Sequence, residues 1–238
     1  MKSILIPTVL ENDTLFAVDM AIQHAKGKNC GIVLLMLTEA PDACSGAEFL
    51  RRGRKPLTPA QCEVLEECRD KVNASGNCTL DIHHQYGISA AILRNLLDYL
   101  VTDIIILSPS YKAERRRLHT ELCKLVGTCK KPILHLEKTT DCREFTKALY
   151  IERNDTQMDI RELQQLVNTQ FGFKIVSQAT IANEQNPEEM PFLSETISRN
   201  NIDLLVETRK PKTKLGKIPK SETFGLPVLS IHEEAVKL

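Results

Sequence analysis

The stretch Val101-Thr102-Asp103-Ile104-Ile105-Ile106 returns later in the chain as Asn200-Asn201-Ile202-Asp203-Leu204-Leu205-Val206, and Lys131-Pro132-Ile133-Leu134-His135-Leu136 returns as Leu226-Pro227-Val228-Leu229-Ser230-Ile231. Short apolar, β-branched runs of this kind are buried strands, and amphipathic segments separate them. That alternation is the signature of parallel βαβ units. Because the same order recurs, the chain reads as two such units in tandem. We place the first over residues 1–138 and the second over 143–238, with the boundary near 139–143.

In the first unit the pattern predicts strands over 3–7, 32–37, 79–83, 103–107 and 132–136. Asn12 or Asp13 is positioned to cap a helix with Ala17, Met20, Ala21 and His24 inward, stopped by Gly27. Thr58-Pro59-Ala60-Gln61 joins a cap, a first-turn proline and a Gln three residues on, so a helix starts there with Leu65, Cys68 and Val72 inward and ends at Ser75-Gly76. Further helices are predicted over 88–100, with Ile88, Ile92, Leu96 and Leu100 on one face, and over 114–129. Residues 40–57 read as a loop. In the second unit, 148–151 and 174–177 are strands, and 158–171 is a helix with Ile160, Leu163 and Val167 inward and Gly172 as its stop. Between 179 and 200 there is room for one helix only, starting near Pro187 or Pro191. The second unit therefore lacks one strand, the third, and one helix.

Composition narrows the function classes. Of 238 residues, 42% are hydrophobic and 26% charged, which suits a globular chain with a real core. Lys+Arg 31 balances Asp+Glu 31, and aromatic residues make up only 5% with no Trp. A nucleic-acid binder is thereby disfavoured, since phosphate neutralisation needs a basic excess and base stacking needs aromatic faces. No apolar run approaches the roughly 20 residues of a membrane span, and the start of the chain lacks a signal-peptide core, so a cytoplasmic protein is expected. Cysteines at 30, 44, 62, 68, 78, 123, 129 and 142 form no C-x-x-C pair and read as free thiols, mostly small buried hydrophobes. Adjacent strand residues face opposite ways, so His83-His84 is structural rather than a chelating pair, and no metal site is expected. No G-x-S-x-G, H-E-x-x-H or close carboxylate pair occurs, and no catalytic residue is assigned.

With this order in view, the chain resembles the universal stress protein family, closely over about residues 1–138 and loosely over 146–235. Ile4-Leu5-Ile6-Pro7-Thr8-Val9 matches the family's opening strand except that Val9 stands where an Asp is usual. Gly87 with Ile92, Asp103-Ile104-Ile105-Ile106-Leu107-Ser108 and Pro132-Ile133-Leu134 match later family motifs. The resemblance implies an α/β fold of two flavodoxin-like, adenine nucleotide alpha hydrolase-like doubly wound parallel sheets in tandem. It also implies that the two units pair through their last strands within the chain, as a pseudo-dimer, with a homodimer as a further option.

Many family members bind ATP with a glycine-rich loop after the fourth strand, whose bare backbone N–H groups approach the phosphates. Here that loop reads Ser108-Pro109-Ser110-Tyr111-Lys112, and the following Gly-Ser/Thr pair reads His119-Thr120. Proline removes a donor and tyrosine adds bulk. Thr8, Val9, Ser108, Ser110 and Thr120 are the positions the resemblance carries over for a ligand; separately, Lys112, Arg115 and His119, with Arg116 and Arg117, cluster positive charge at the start of the following helix, where they are candidate anion contacts. Arg115-Arg116-Arg117 reads equally as a solvated helix face paired with Glu114 and Glu121. In the second unit the same loop is Glu207-Thr208-Arg209-Lys210-Pro211, and Glu207 would repel phosphate. No cofactor is expected, with ATP disfavoured.

Two basic segments, 51–55 and 209–220, read as loops that either solubilise the chain or dock an acidic partner or RNA. Cys123 and Cys129 flank lysines that would lower a thiol pKa if exposed. The expected function is a non-enzymatic stress-response protein acting through an unknown protein partner or a small ligand. The alternatives are an ATP-binding sensor with an altered phosphate loop and a thiol-based redox sensor.

Overall fold

Ile4, Leu5 and Ile6 are fully buried, as are Ile32, Leu34 and Leu35 on the neighbouring strand, because both faces of these strands are covered. That is why the runs are wholly apolar rather than alternating. The computed structural model describes residues 1–39, 56–138, 144–153, 159–171, 173–181, 189–210 and 224–235. In chain order the elements are β1 (Lys2–Pro7), α1 (Asp13–Ala25), β2 (Cys30–Thr38), α2 (Pro59–Ser75), β3 (Cys78–Tyr86), α3 (Ala90–Tyr99), β4 (Thr102–Leu107), α4 (Pro109–Ala113), α5 (Arg117–Thr128) and β5 (Ile133–His135). There follow β6 (Lys147–Arg153), α6 (Ile160–Gln170), β7 (Lys174–Ile181), α7 (Glu189–Asn200), β8 (Leu204–Arg209) and β9 (Val228–His232).

The strands form one nine-stranded sheet in the order β3-β2-β1-β4-β5-β9-β8-β6-β7. Every neighbouring pair is parallel except β5 and β9, which run antiparallel with Leu134 opposite Leu229. The α/β class and the doubly wound arrangement are as expected. The two units join through their last strands, as the resemblance implied, and the β5–β9 hydrogen bonds make them one continuous sheet. Helices α1, α2 and α6 share one core cluster, which runs across both halves through Leu134, Leu229 and Ile231. On the other face α3, α4 and α5 pack on Leu5, Leu35 and Ile105, and α7 packs through Leu193 on Leu149 and Leu205. Among the described residues the second half has no counterpart of β3.

Local signals act as read at α2. The Thr58 side chain accepts from Gln61 N while the Gln61 side chain accepts from Thr58 N, and Gly76 closes the helix at φ 71°. Elsewhere packing revises the reading. At α1, Asn12 takes the cap position without a side-chain bond, and Lys26 rather than Gly27 is the left-handed cap at φ 47°, Gly27 following at φ 75°. At α3, Ser89 caps the helix and shifts its buried stripe to Leu93, Leu96 and Leu97, leaving Ile92 38% exposed. At α6, Leu163 and Val167 are buried but Ile160 is 36% exposed, since Asp159 caps one residue before it. The helix expected over 114–129 begins at Arg117 and is preceded by the separate turn α4, because Ser108 and Pro109 start a helix of their own.

The strand β8 runs through Arg209, so Glu207, Thr208 and Arg209 are strand residues and not the loop expected there. The boundary at 139–143, the stop Gly172 and the basic segments 51–55 and 211–220 lie outside the described residues. No described helix is long and apolar enough to cross a membrane.

Candidate functional site

Parallel sheets present their ligand sites at the carboxyl ends of the strands. Here β1 and β4 are neighbours, and their ends deliver Thr8-Val9 and Ser108 to one edge. Ser108 sits in extended backbone, its hydroxyl accepting from Tyr111 N at 3.4 Å, which with Pro109 at the first turn starts α4. The helix turns Ser110 back toward the start of α1. There the Asp13 carboxylate accepts from the Ser110 backbone N–H at 2.7 Å and from its hydroxyl at 2.6 Å. Charge-assisted bonds of this length are the stronger kind, and they use the two donors an incoming oxyanion would need.

The other site positions are likewise engaged. Thr8 is buried, hydrogen-bonded to the Thr14 hydroxyl at 2.8 Å and accepting from Leu10 N at 2.8 Å. Lys112 donates to Glu137 at 2.6 Å in a mostly buried ion pair. Thr120 donates to the Arg116 carbonyl at 3.3 Å. Arg116 binds Glu114 at 3.0 Å, and that contact, with the Arg116 backbone bond, holds the Glu114 carboxyl at about 2. His119 is buried against Tyr111, ring centroids 5.2 Å apart in an edge contact, and burial lowers its pKa. It faces the core and not the cleft. Tyr111 is fully buried, and burial raises its phenol far above the ordinary range.

Of the expected site residues, Val9, Ser110 and Arg115 share one cleft of about 620 Å³ with Glu11, Asp13 and Glu114. Thr8, Ser108, Lys112, His119 and Thr120 do not line it. Three acidic side chains against one arginine make this a poor place for polyphosphate, since like charges repel and each displaced bond must be replaced. Asp13 is the residue that sequence reading missed. Its only signal in the sequence is an acidic residue at the first turn of α1, just beyond β1, a place where a helix cap is equally at home.

Three of the thiols, Cys30, Cys68 and Cys123, are buried. Desolvation pushes Cys30, Cys68 and Cys123 up to about 11, opposite to the direction a reactive thiol requires. Lysine neighbours do not rescue Cys123, which lies on the buried face of α5. His83 and His84 occupy successive positions on β3, and among the described residues no group of His, Cys, Asp and Glu could hold a metal.

This α/β architecture, one sheet wound on both faces, is shared with solved structures of universal stress proteins. A universal stress protein from Archaeoglobus fulgidus DSM 4304 superimposes with TM-score 0.59 over 97% of this chain and 96% of its own, at 11% identity. A protein of unknown function from Pseudomonas aeruginosa PAO1 follows at TM-score 0.53 and 12% identity, over 98% of this chain and 93% of its own. No family model and no curated protein matches the sequence.

Proposed function

We propose that this chain is a cytoplasmic, non-enzymatic protein of the universal stress protein type, acting through protein contacts or a small ligand other than ATP. The observation that carries the reading is the Asp13 carboxylate seated on the two donors of Ser110. A phosphate arriving at this edge would have to displace an intramolecular anion that pays no association entropy. The proline and tyrosine of α4 work in the same direction, one lacking a donor and the other filling the space beside it.

The antiparallel β5–β9 pair supports a further part of the reading, that the chain serves as its own dimer. Each of those strands is paired on both sides, so a second chain cannot add there.

Isothermal titration of the purified protein with Mg-ATP tests the proposal. Less than one-tenth saturation at 100 μM ATP is expected, on the order of Kd above 1 mM. Micromolar binding that weakens on Thr120→Ala would overturn it and favour the sensor reading.

A further inference from the structure

On the face of the sheet that carries α1 and α6, the two halves meet over β5 and β9, and a cavity of about 500 Å³ lies between them. Its size is that of sites that take drug-sized molecules. The floor is aliphatic, built from Leu134 of β5 and Leu229 of β9 with Ile106 beside them. The wall is aromatic and is shared between the halves. His24 at the end of α1 packs on Phe171 at 5.1 Å between ring centroids, and Phe171 packs on Phe173 at 6.0 Å, both pairs tilted. His24 is fixed in place because its Nε2 lies 3.6 Å from Asp103 Oδ2.

The mouth is polar. Gln23, Lys26 and Glu144 lie on it, and the side chains of Gln23 and Lys26 have no hydrogen-bond or ion-pair partner among the described residues. Several other cations here are paired: Lys2 with Asp103, Lys71 with Asp19, Lys112 with Glu137 and Lys130 with Glu234. An apolar floor, a ring-lined wall and an ammonium at the rim with no partner among the described residues suit one kind of molecule. Tilted rings accept a further ring edge-on or offset, and Lys26 with the Gln23 amide can hold an anionic group that stays at the mouth.

We propose that this cavity binds an aromatic molecule bearing a carboxylate or sulfonate, ring inward against Phe171 and Phe173 and anion outward at Lys26. Nothing in this depends on the edge site, so a failed ATP titration and a failed test here are separate outcomes.

The test uses 8-anilinonaphthalene-1-sulfonate on the full chain, followed by methyl NMR and fluorescence titration. One saturable probe per chain is expected, with shifts confined to the Met20, Leu134 and Leu229 methyls. Lys26→Glu should weaken binding at least fivefold. Gln23→Trp, at a half-exposed position where the fold tolerates bulk, should block the mouth and abolish binding. Circular dichroism of both variants checks that they remain folded. Unsaturable binding, shifts located elsewhere, or affinity unchanged by both variants would overturn the proposal. An unchanged affinity in Lys26→Glu alone would overturn the anionic part.

Discussion

Arg209 Nη1, at the end of β8, donates to the carbonyl of Gly127 at 3.0 Å, reaching from one half of the molecule to the end of α5 in the other. The same guanidinium also meets the carbonyls of Val126, at 3.2 Å, and Lys131. A helix leaves its last carbonyls without internal partners; here the cation reaches the Gly127 carbonyl, shares the Val126 carbonyl with the Cys129 N–H, and opposes the negative end of the helix dipole.

Arg209→Met should therefore lower unfolding free energy by about 1–2 kcal/mol, as expected when partly buried bonds to a charged donor are lost. Arg209→Lys should recover little, because one ammonium on a flexible stem cannot span three carbonyls as the planar fork does. Urea denaturation measures both. A loss below about 0.5 kcal/mol in Arg209→Met would mean the contact is not a structural tie.

A second prediction concerns Val101 and Asn201. Both take left-handed backbone, at φ 51° and 50°, at the turn entering β4 and β8 respectively. Asparagine tolerates that region and a β-branched side chain does not. Val101 is 55% exposed, so little packing is lost on changing it. Val101→Asn should stabilise the fold by about 0.5–1 kcal/mol, and Asn201→Val should destabilise it by a similar amount. Thermal unfolding of the two variants should move in opposite directions.

A third prediction is acid sensitivity. Burial, helped by Lys112 and Arg209, lowers His135 to about 3, while an unfolded histidine titrates near 6.5. Between those values the unfolded chain binds more protons. Stability is therefore full above pH 6.5 and falls as pH drops toward 3, by about 1.4 kcal/mol per pH unit at most. His119 and His232 are shifted the same way by burial and add to the slope. Asp103, held at about 2 by His24 and Lys2, adds a further loss below about pH 4 as it protonates. His135→Gln should flatten the upper part of the curve without removing it. A slope identical to the parent's would show that His135 does not titrate with unfolding.

Much of this architecture was legible. The echo of Asp103 in Asp203 has a physical cause, since each aspartate ties down the start of its half's first strand. Asp103 accepts from Lys2 at 2.7 Å, and Asp203 accepts from the backbone N–H groups of Thr146 and Lys147 at 2.8 and 3.1 Å. Likewise the Thr58 box and the buried runs of β1, β2 and β4 depend on neighbours in the chain or on a simple period, and such signals survive in a single sequence. The site was less legible. Asp13 and Ser110 lie far apart in the chain, and a carboxylate at a first turn serves equally well as a cap or as a distant acceptor.

Arg209 shows the same limit. In sequence it opens a basic, proline-containing run and looks solvated, yet it is half-buried because β8 delivers it against the end of α5. The succession of strands and helices along the chain and the loss of the phosphate-binding glycines follow from residue types and spacing, which act locally. The merging of two sheets through β5 and β9, the closing of the edge site by Asp13 and the cavity walled by His24 and Phe171 follow from contacts between remote residues. Those contacts exist only once the two halves are packed, because the free energy that selects them comes from burying surfaces no single segment contains.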